Sequence, residues 1–265
     1  MYDVKCMYEK IRIKNIFNVI KFKIEFRKNN PHYFNADGLI MFCGAQGTGK
    51  TLTAVNYVYK LMQFYPKCKL VTNLHLRDYP VVEFHDWKKI NANENENDKE
   101  LYDRYKEENR VFSFLNNDDL QKYENESFGV IYFIDEIQLY MNSLQSKNIN
   151  MDVMTQISQQ RKQRKHIVAT SQVFGRIAKP LREQFSNVVL CKNYFKIFQI
   201  NALIDRDSID TEETTSTNLK GKVKKKFFYI HSPEMYARYD TSNIIRVGLF
   251  NSGKGDIYDD KSINN

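Results

Sequence analysis

Eight residues constrain this chain more than any others: Gly44-Ala45-Gln46-Gly47-Thr48-Gly49-Lys50-Thr51, set between an apolar run and a helical pattern. Leu39 to Cys43 reads as a buried strand. Behind the loop, LTAVNYVYKLMQFY places Leu52, Val55, Val58, Tyr59 and Met62 on one helical stripe. The order strand, glycine loop, helix is what the pattern G-x-x-x-x-G-K-[ST] needs in order to work. Glycines let successive backbone N–H groups converge as an anion nest, and the helix N-terminus adds partial positive charge. On this reading Gly44 to Thr51 cradles the phosphates of ATP, Lys50 reaches the β- and γ-phosphates, and the Thr51 hydroxyl ligates Mg²⁺.

A second buried strand, VIYFI at Val130 to Ile134, delivers two acids at its C-terminal end. Asp135 fits the Mg²⁺ shell from that position. Glu136, directly after it, is the candidate base that orients and deprotonates an attacking water. Gln172 closes a further strand, HIVATS at 166–171, and would face the γ-phosphate from the same crevice. Arg161, Arg164, Arg176 and Arg182 flank that strand, and any one of them is a candidate arginine finger across a subunit interface.

Composition limits the class of protein. With 42% hydrophobic and 27% charged residues, the 265-residue chain has the balance of an ordinary soluble globular protein. A net charge of +8 favours polyanionic partners, nucleic acid or an acidic membrane surface. Cys6, Cys43, Cys68 and Cys191 have no metal-ligand spacing and read as reduced thiols. No run of about 18 apolar residues and no apolar leader appears, so neither a transmembrane segment nor a signal peptide is expected.

Three regions are expected along the chain. Residues 1–37 read as a β-rich extension, in which the partial alternation of Ile, Phe, Val and Lys over 3–27 suggests strands, or a strand and a short helix. Residues 38–204 read as the ATPase core, with Lys69 to Asn73 and Val188 to Lys192 as further strands and a helix over Met151 to Lys165. A polar insertion occupies about 85–120, with a helix from Asp98 to Asn109. Residues 205–265 read as a polar linker, a basic β-like segment (GKVKKKFFYI) and a frayed tail.

Together, GAQGTGKT, the TN of KLVTN, IDEIQ, QQRKQRK and IVATSQ resemble the HerA/FtsK superfamily of DNA-pumping ATPases, and within it the zonula-occludens-toxin-like (Zot-like) ATPases of phages. The resemblance spans residues 38 to 200. It implies a RecA-like α/β core with a mostly parallel sheet, ATP and Mg²⁺ as cofactors, a homo-oligomeric, hexameric ring with ATP at the interfaces, and a basic channel for DNA. In that superfamily an Arg-Lys pair precedes the sensor glutamine by a strand's length, which makes Arg161, next to Lys162, the preferred transferred arginine. Filamentous-phage relatives usually carry a transmembrane helix after the ATPase domain. Its lack here leaves a soluble packaging motor in the bacterial host cytoplasm, or a protein docked peripherally at the inner face of the membrane on an assembly partner, in a virion-assembly or DNA-packaging role.

Lys162, Arg164, Lys165, Lys222, Lys224, Lys225 and Lys226 are the basic candidates for DNA contact. Two other functions fit the same motifs. One is an AAA-type helicase or replication-initiation ATPase, which would add a helical lid. The other is a nucleotide-dependent assembly switch without significant turnover, against which Glu136 argues.

Overall fold

The computed structural model describes residues 13–36, 38–93, 96–144, 151–209 and 221–239. In chain order the elements are α1 (Ile13–Asn29), β1 (Leu39–Cys43), α2 (Lys50–Phe64), β2 (Lys69–Thr72), α3 (Phe84–Asn91), α4 (Asp98–Glu108), β3 (Val111–Ser113), α5 (Asp119–Lys122), β4 (Val130–Ile134), α6 (Met151–Gln159), β5 (Lys165–Ser171), α7 (Lys179–Arg182), β6 (Phe185–Tyr194), β7 (Phe198–Ile204), β8 (Val223–Ile230) and α8 (Pro233–Ala237). One eight-stranded sheet runs through the molecule in the order β3-β2-β4-β5-β1-β6-β7-β8. Strands from β3 to β6 pair in parallel, and β6, β7 and β8 pair antiparallel. This is the α/β, RecA-like P-loop architecture, with helices flanking a mostly parallel sheet.

The parallel strands are continuous apolar runs because both of their faces are covered. β4 is buried along its whole length. One face carries Met41, Tyr132, Ile134, Ile167 and Phe185 in a cluster with Trp87 and Phe112. The other carries Phe42, Ile131, Phe133 and Val168 against Val55, Val58, Tyr59 and Met62 of α2. The stripe expected on α2 is therefore the surface that α2 buries. β1 and β2, joined through α2, are not neighbours: β5 and β4 lie between them. That separation opens the sheet at the C-terminal end of β1, where the glycine loop leaves it.

Several expectations need correcting. Residues 13–29 are not β-rich but form a helix, α1. Ile16, Phe17, Ile20 and Ile24 fall at helical spacing, and the apparent alternation came from lysines interleaved with that stripe. Residues 1–12 lie outside the described residues. The helix expected to run through Lys165 stops at Gln159. Arg164 turns the chain with φ 53, and Lys165 is the first residue of β5, buried with its ammonium donating to the Leu120 carbonyl at 2.8 Å. Lys165 therefore faces the interior and is removed from the DNA-contact candidates. Arg164 is half-buried, donating to the Glu126 carbonyl at 3.0 Å and lying 4.7 Å from the Tyr33 ring centroid.

The polar insertion contains the expected helix, α4, which begins in a capping box of Asn97 and Glu100. It also supplies β3, an edge strand of the main sheet, so it is more than a polar excursion. Nor does the core end at residue 204: β8 pairs with β7 and extends the same sheet. The acidic tip 210–220 and the tail from Asn251 lie outside the described residues. Among the described residues, Cys43, Cys68 and Cys191 are buried free thiols, and no helix is long and apolar enough to cross a membrane.

Candidate active site

The C-terminal ends of β1, β4 and β5 bring the motif residues to one place. Gly44 follows β1, Asp135 and Glu136 follow β4, and Gln172 follows β5. The loop is tight at two glycines. A side chain at Gly44 would put its first carbon 2.4 Å from Thr48 Oγ1, and one at Gly49, where φ is 77, would meet Gln199 Oε1 at 2.2 Å. Thr48 folds the loop onto itself, its hydroxyl donating to the Ala45 carbonyl at 2.8 Å. Gly49 is the N-cap of the 15-residue α2, so the free N–H groups of the first turn face the loop. Gln46 and Gly47 are exposed at the loop's crown.

Lys50 is the buried cation of the site, its Nζ 2.8 Å from Glu136 Oε1. Thr51 Oγ1 donates to Asp135 Oδ1 at 2.9 Å, and Thr170 Oγ1 donates to the same oxygen at 2.6 Å. Burial pushes the Asp135 carboxyl above its ordinary range, the neighbouring Glu136 charge adds to the rise, and the two hydroxyl donors and Lys50 oppose it. Glu136 sits in the left-handed region at φ 51, a backbone costing a non-glycine residue on the order of 1 kcal/mol. That turn is held by the Glu136 N–H donating to Thr170 Oγ1 at 2.9 Å. The carboxylate receives Gln172 Nε2 at 3.4 Å and, on its other oxygen, Gln138 Nε2. Charge, metal-type oxygens and an oriented carboxylate are thus assembled within one crevice.

Arg161 does not join this crevice in its own chain. It is exposed in the turn before β5, at the opposite end of that strand from Gln172, roughly 20 Å away at the usual strand rise. Arg176 is exposed, and Arg182 is half-buried in α7.

Reading the motifs alone missed four contributors. Asn73 at the end of β2 pairs both ways with the Asp135 backbone, its amide donating to the carbonyl at 2.9 Å and its oxygen accepting from the N–H at 2.9 Å. Thr170 serves both acids, and Gln138 holds Glu136. Their signal was in the sequence, since polar residues that close or follow apolar runs mark the C-terminal rim of a parallel sheet. Gln199 on β7, fully buried, donates to the Thr48 carbonyl at 3.0 Å and to Asn201 Oδ1 at 2.9 Å. Nothing in its local pattern, FQINALI, marks it as a support of the loop.

Among solved structures, the N-terminal domain of zonular occludens toxin from Neisseria meningitidis is similar at 16% identity and a TM-score of 0.50, over 78% of this chain and 100% of that one. At that identity the likeness shows the fold. The genome packaging NTPase B204 from Sulfolobus turreted icosahedral virus 2, in complex with ATP-gammaS, matches at 10% identity and a TM-score of 0.43, over 75% of this chain and 98% of that one. No curated protein matches the sequence. Residues 38–233, which span every element from β1 through β8, match the zonular occludens toxin (Zot) family, and the chain belongs to it.

Proposed function

We propose that this chain is an ATP-hydrolysing motor that translocates DNA in phage or mobile-element packaging and virion assembly. The observation that carries the reading is the crevice itself: an anion-binding loop, a buried lysine, a hydroxyl–carboxylate pair and an oriented glutamate on three adjacent parallel strands. The family supports a phage setting, and the +8 charge supports a polyanionic track.

Thr51 Oγ1 and Asp135 Oδ1, 2.9 Å apart, are hard oxygen donors beside the phosphate loop and fit Mg²⁺. When bound, that ion neutralises charge on the β- and γ-phosphate oxygens. The protein's own groups do the rest. Polyphosphate entering the loop competes with Glu136 for Lys50, because both are anions seeking the same ammonium. Lys50 moves to the phosphates, and Glu136 stays aligned by Gln138 and Gln172. The freed carboxylate takes a proton from the attacking water as the γ-phosphoryl group departs, and Gln172, which donates to Glu136 Oε1 at 3.4 Å, would hold that water or the phosphoryl oxygens. Arg161, exposed and far from its own chain's crevice, would on this reading act at a neighbour's site in a ring.

The test is steady-state ATP hydrolysis with and without single- and double-stranded DNA. A rate that rises with one DNA form supports the motor and names its track. A flat rate near background, with ATP still bound, favours a nucleotide-dependent assembly switch.

A further inference from the structure

Beside the glycine loop, on the far side of β1 from the two acids, lies a cavity of about 260 Å³. One wall is the loop and the start of α2, from Gly47 to Leu52. The other belongs to the antiparallel wing: Asn193 and Lys196 from the β6–β7 hairpin, His231 after β8, and Tyr236 and Tyr239 in and after α8. The same space therefore touches Lys50 and Thr51 at one end and aromatic rings at the other.

The aromatic wall is braced to the loop by a chain of hydrogen bonds. Gln199 uses its amide N–H groups on Thr48 and Asn201, and its Oε1 lies 3.2 Å from His231 Nε2. On the other side of the ring, His231 Nδ1 pairs with the Tyr236 hydroxyl, which donates to the Lys196 carbonyl at 3.0 Å, and burial lowers the His231 pKa. The imidazole and the Tyr236 ring meet edge to face, with centroids 5.4 Å apart. Asn193 Nδ2 lies 3.5 Å from His231, while Asn193 Oδ1 is buried without a hydrogen-bond partner. A buried acceptor left unpaired carries a desolvation cost that a donor on a ligand would recover.

We propose that this cavity is the nucleobase subsite, with the rings of Tyr236 and Tyr239 flanking a purine and Asn193 Oδ1 accepting from the 6-amino group of adenine. The proposal rests on the glycine loop being a triphosphate site. It makes Asn193 and Tyr236 specificity-determining residues, separate from the groups that handle the phosphates, and it gives Gln199 the task of fixing the distance between base and phosphate ends.

Equilibrium binding of three probes separates these layers: ATP, purine riboside triphosphate, which lacks the 6-amino group, and inorganic tripolyphosphate. The wild-type protein binds ATP about tenfold or more tighter than either other probe. Asn193→Ala brings ATP down to the level of purine riboside triphosphate. Tyr236→Ala weakens both nucleosides by about tenfold. Neither variant changes tripolyphosphate affinity, which also reports that the loop is intact. Lys50→Ala weakens all three. If Asn193→Ala and Tyr236→Ala bind ATP as the wild type does while Lys50→Ala does not, the base subsite is overturned and the phosphate site stands. If Lys50→Ala changes none of the three, both fall together.

Discussion

The sheet has two halves of different character, and they divide the work. In the parallel half, β2, β4, β5 and β1 are buried on both faces, and their C-terminal rim holds Asn73, Asp135, Glu136, Thr170 and Gln172 against the loop. In the antiparallel wing, β6, β7 and β8 have one face toward the loop, through Asn193, Gln199 and Tyr229, and a second face that is buried at Val188 and Ile204 but open toward the β6–β7 turn. Cross-strand register puts Tyr194, Phe198, Ile200, Phe228 and Ile230 on that open face, all exposed. On the proposed function the parallel half would fix reacting groups through buried strand ends, and the wing would adjust the grip on the nucleotide from outside. Substitutions in the wing should then show in KM where those of the parallel half show in kcat.

Predictions run from the deepest part of the parallel half outward. Lys50→Ala removes the buried ammonium proposed to meet the phosphates and should lower kcat/KM for ATP by at least about a hundredfold, read by steady-state kinetics. Asp135→Asn separates catalysis from stability. The folded-state pKa of Asp135 is raised by burial, so the folded protein binds a proton more readily than the unfolded chain. Stability is therefore lost as pH rises from the ordinary value of 3.8 through the raised one. The amide, which can still accept from Thr51 and Thr170, removes that cost. Its melting temperature at neutral pH should rise by about 2–4 °C while Mg²⁺-dependent turnover falls, and an unchanged melting temperature would reject the burial argument.

In the wing, Gln199→Ala leaves the Thr48 carbonyl without its side-chain donor, at about 1–3 kcal/mol. KM for ATP should rise about tenfold with kcat little changed; equal losses in both would erase the division between the halves. Phe228→Ser, on the open face and 84% exposed, should shift stability by less than about 0.5 kcal/mol in denaturant melts.

The same contrast explains what could be read from the sequence. VIYFI, LIMFC and HIVATS are legible because a strand buried on both faces must be apolar throughout, and a motif residue at its end inherits a location. The glycine loop and the two acids were placed for that reason. The β8 segment read only as basic and β-like, because its exposed lysines carry no sign of which sheet it joins. The partial alternation in α1 imitates a strand over a few residues, and only the full i, i+4, i+8 spacing of Ile16, Ile20 and Ile24 decides the period. The hydrogen bonds of Gln199 and His231 depend on a pairing between β7 and β8 that the acidic segment between them conceals.

The most direct test of the central claim is Glu136→Gln, measured for ATP turnover and ATP affinity in one preparation. The amide removes the proton acceptor and the ion pair with Lys50 but keeps the side chain's size. Turnover reduced by about a hundredfold or more, with ATP bound as tightly as or more tightly than in the wild type, is the predicted result. Turnover at the wild-type rate would contradict the assignment of Glu136 as the base and, with it, the account of this crevice as a hydrolytic site.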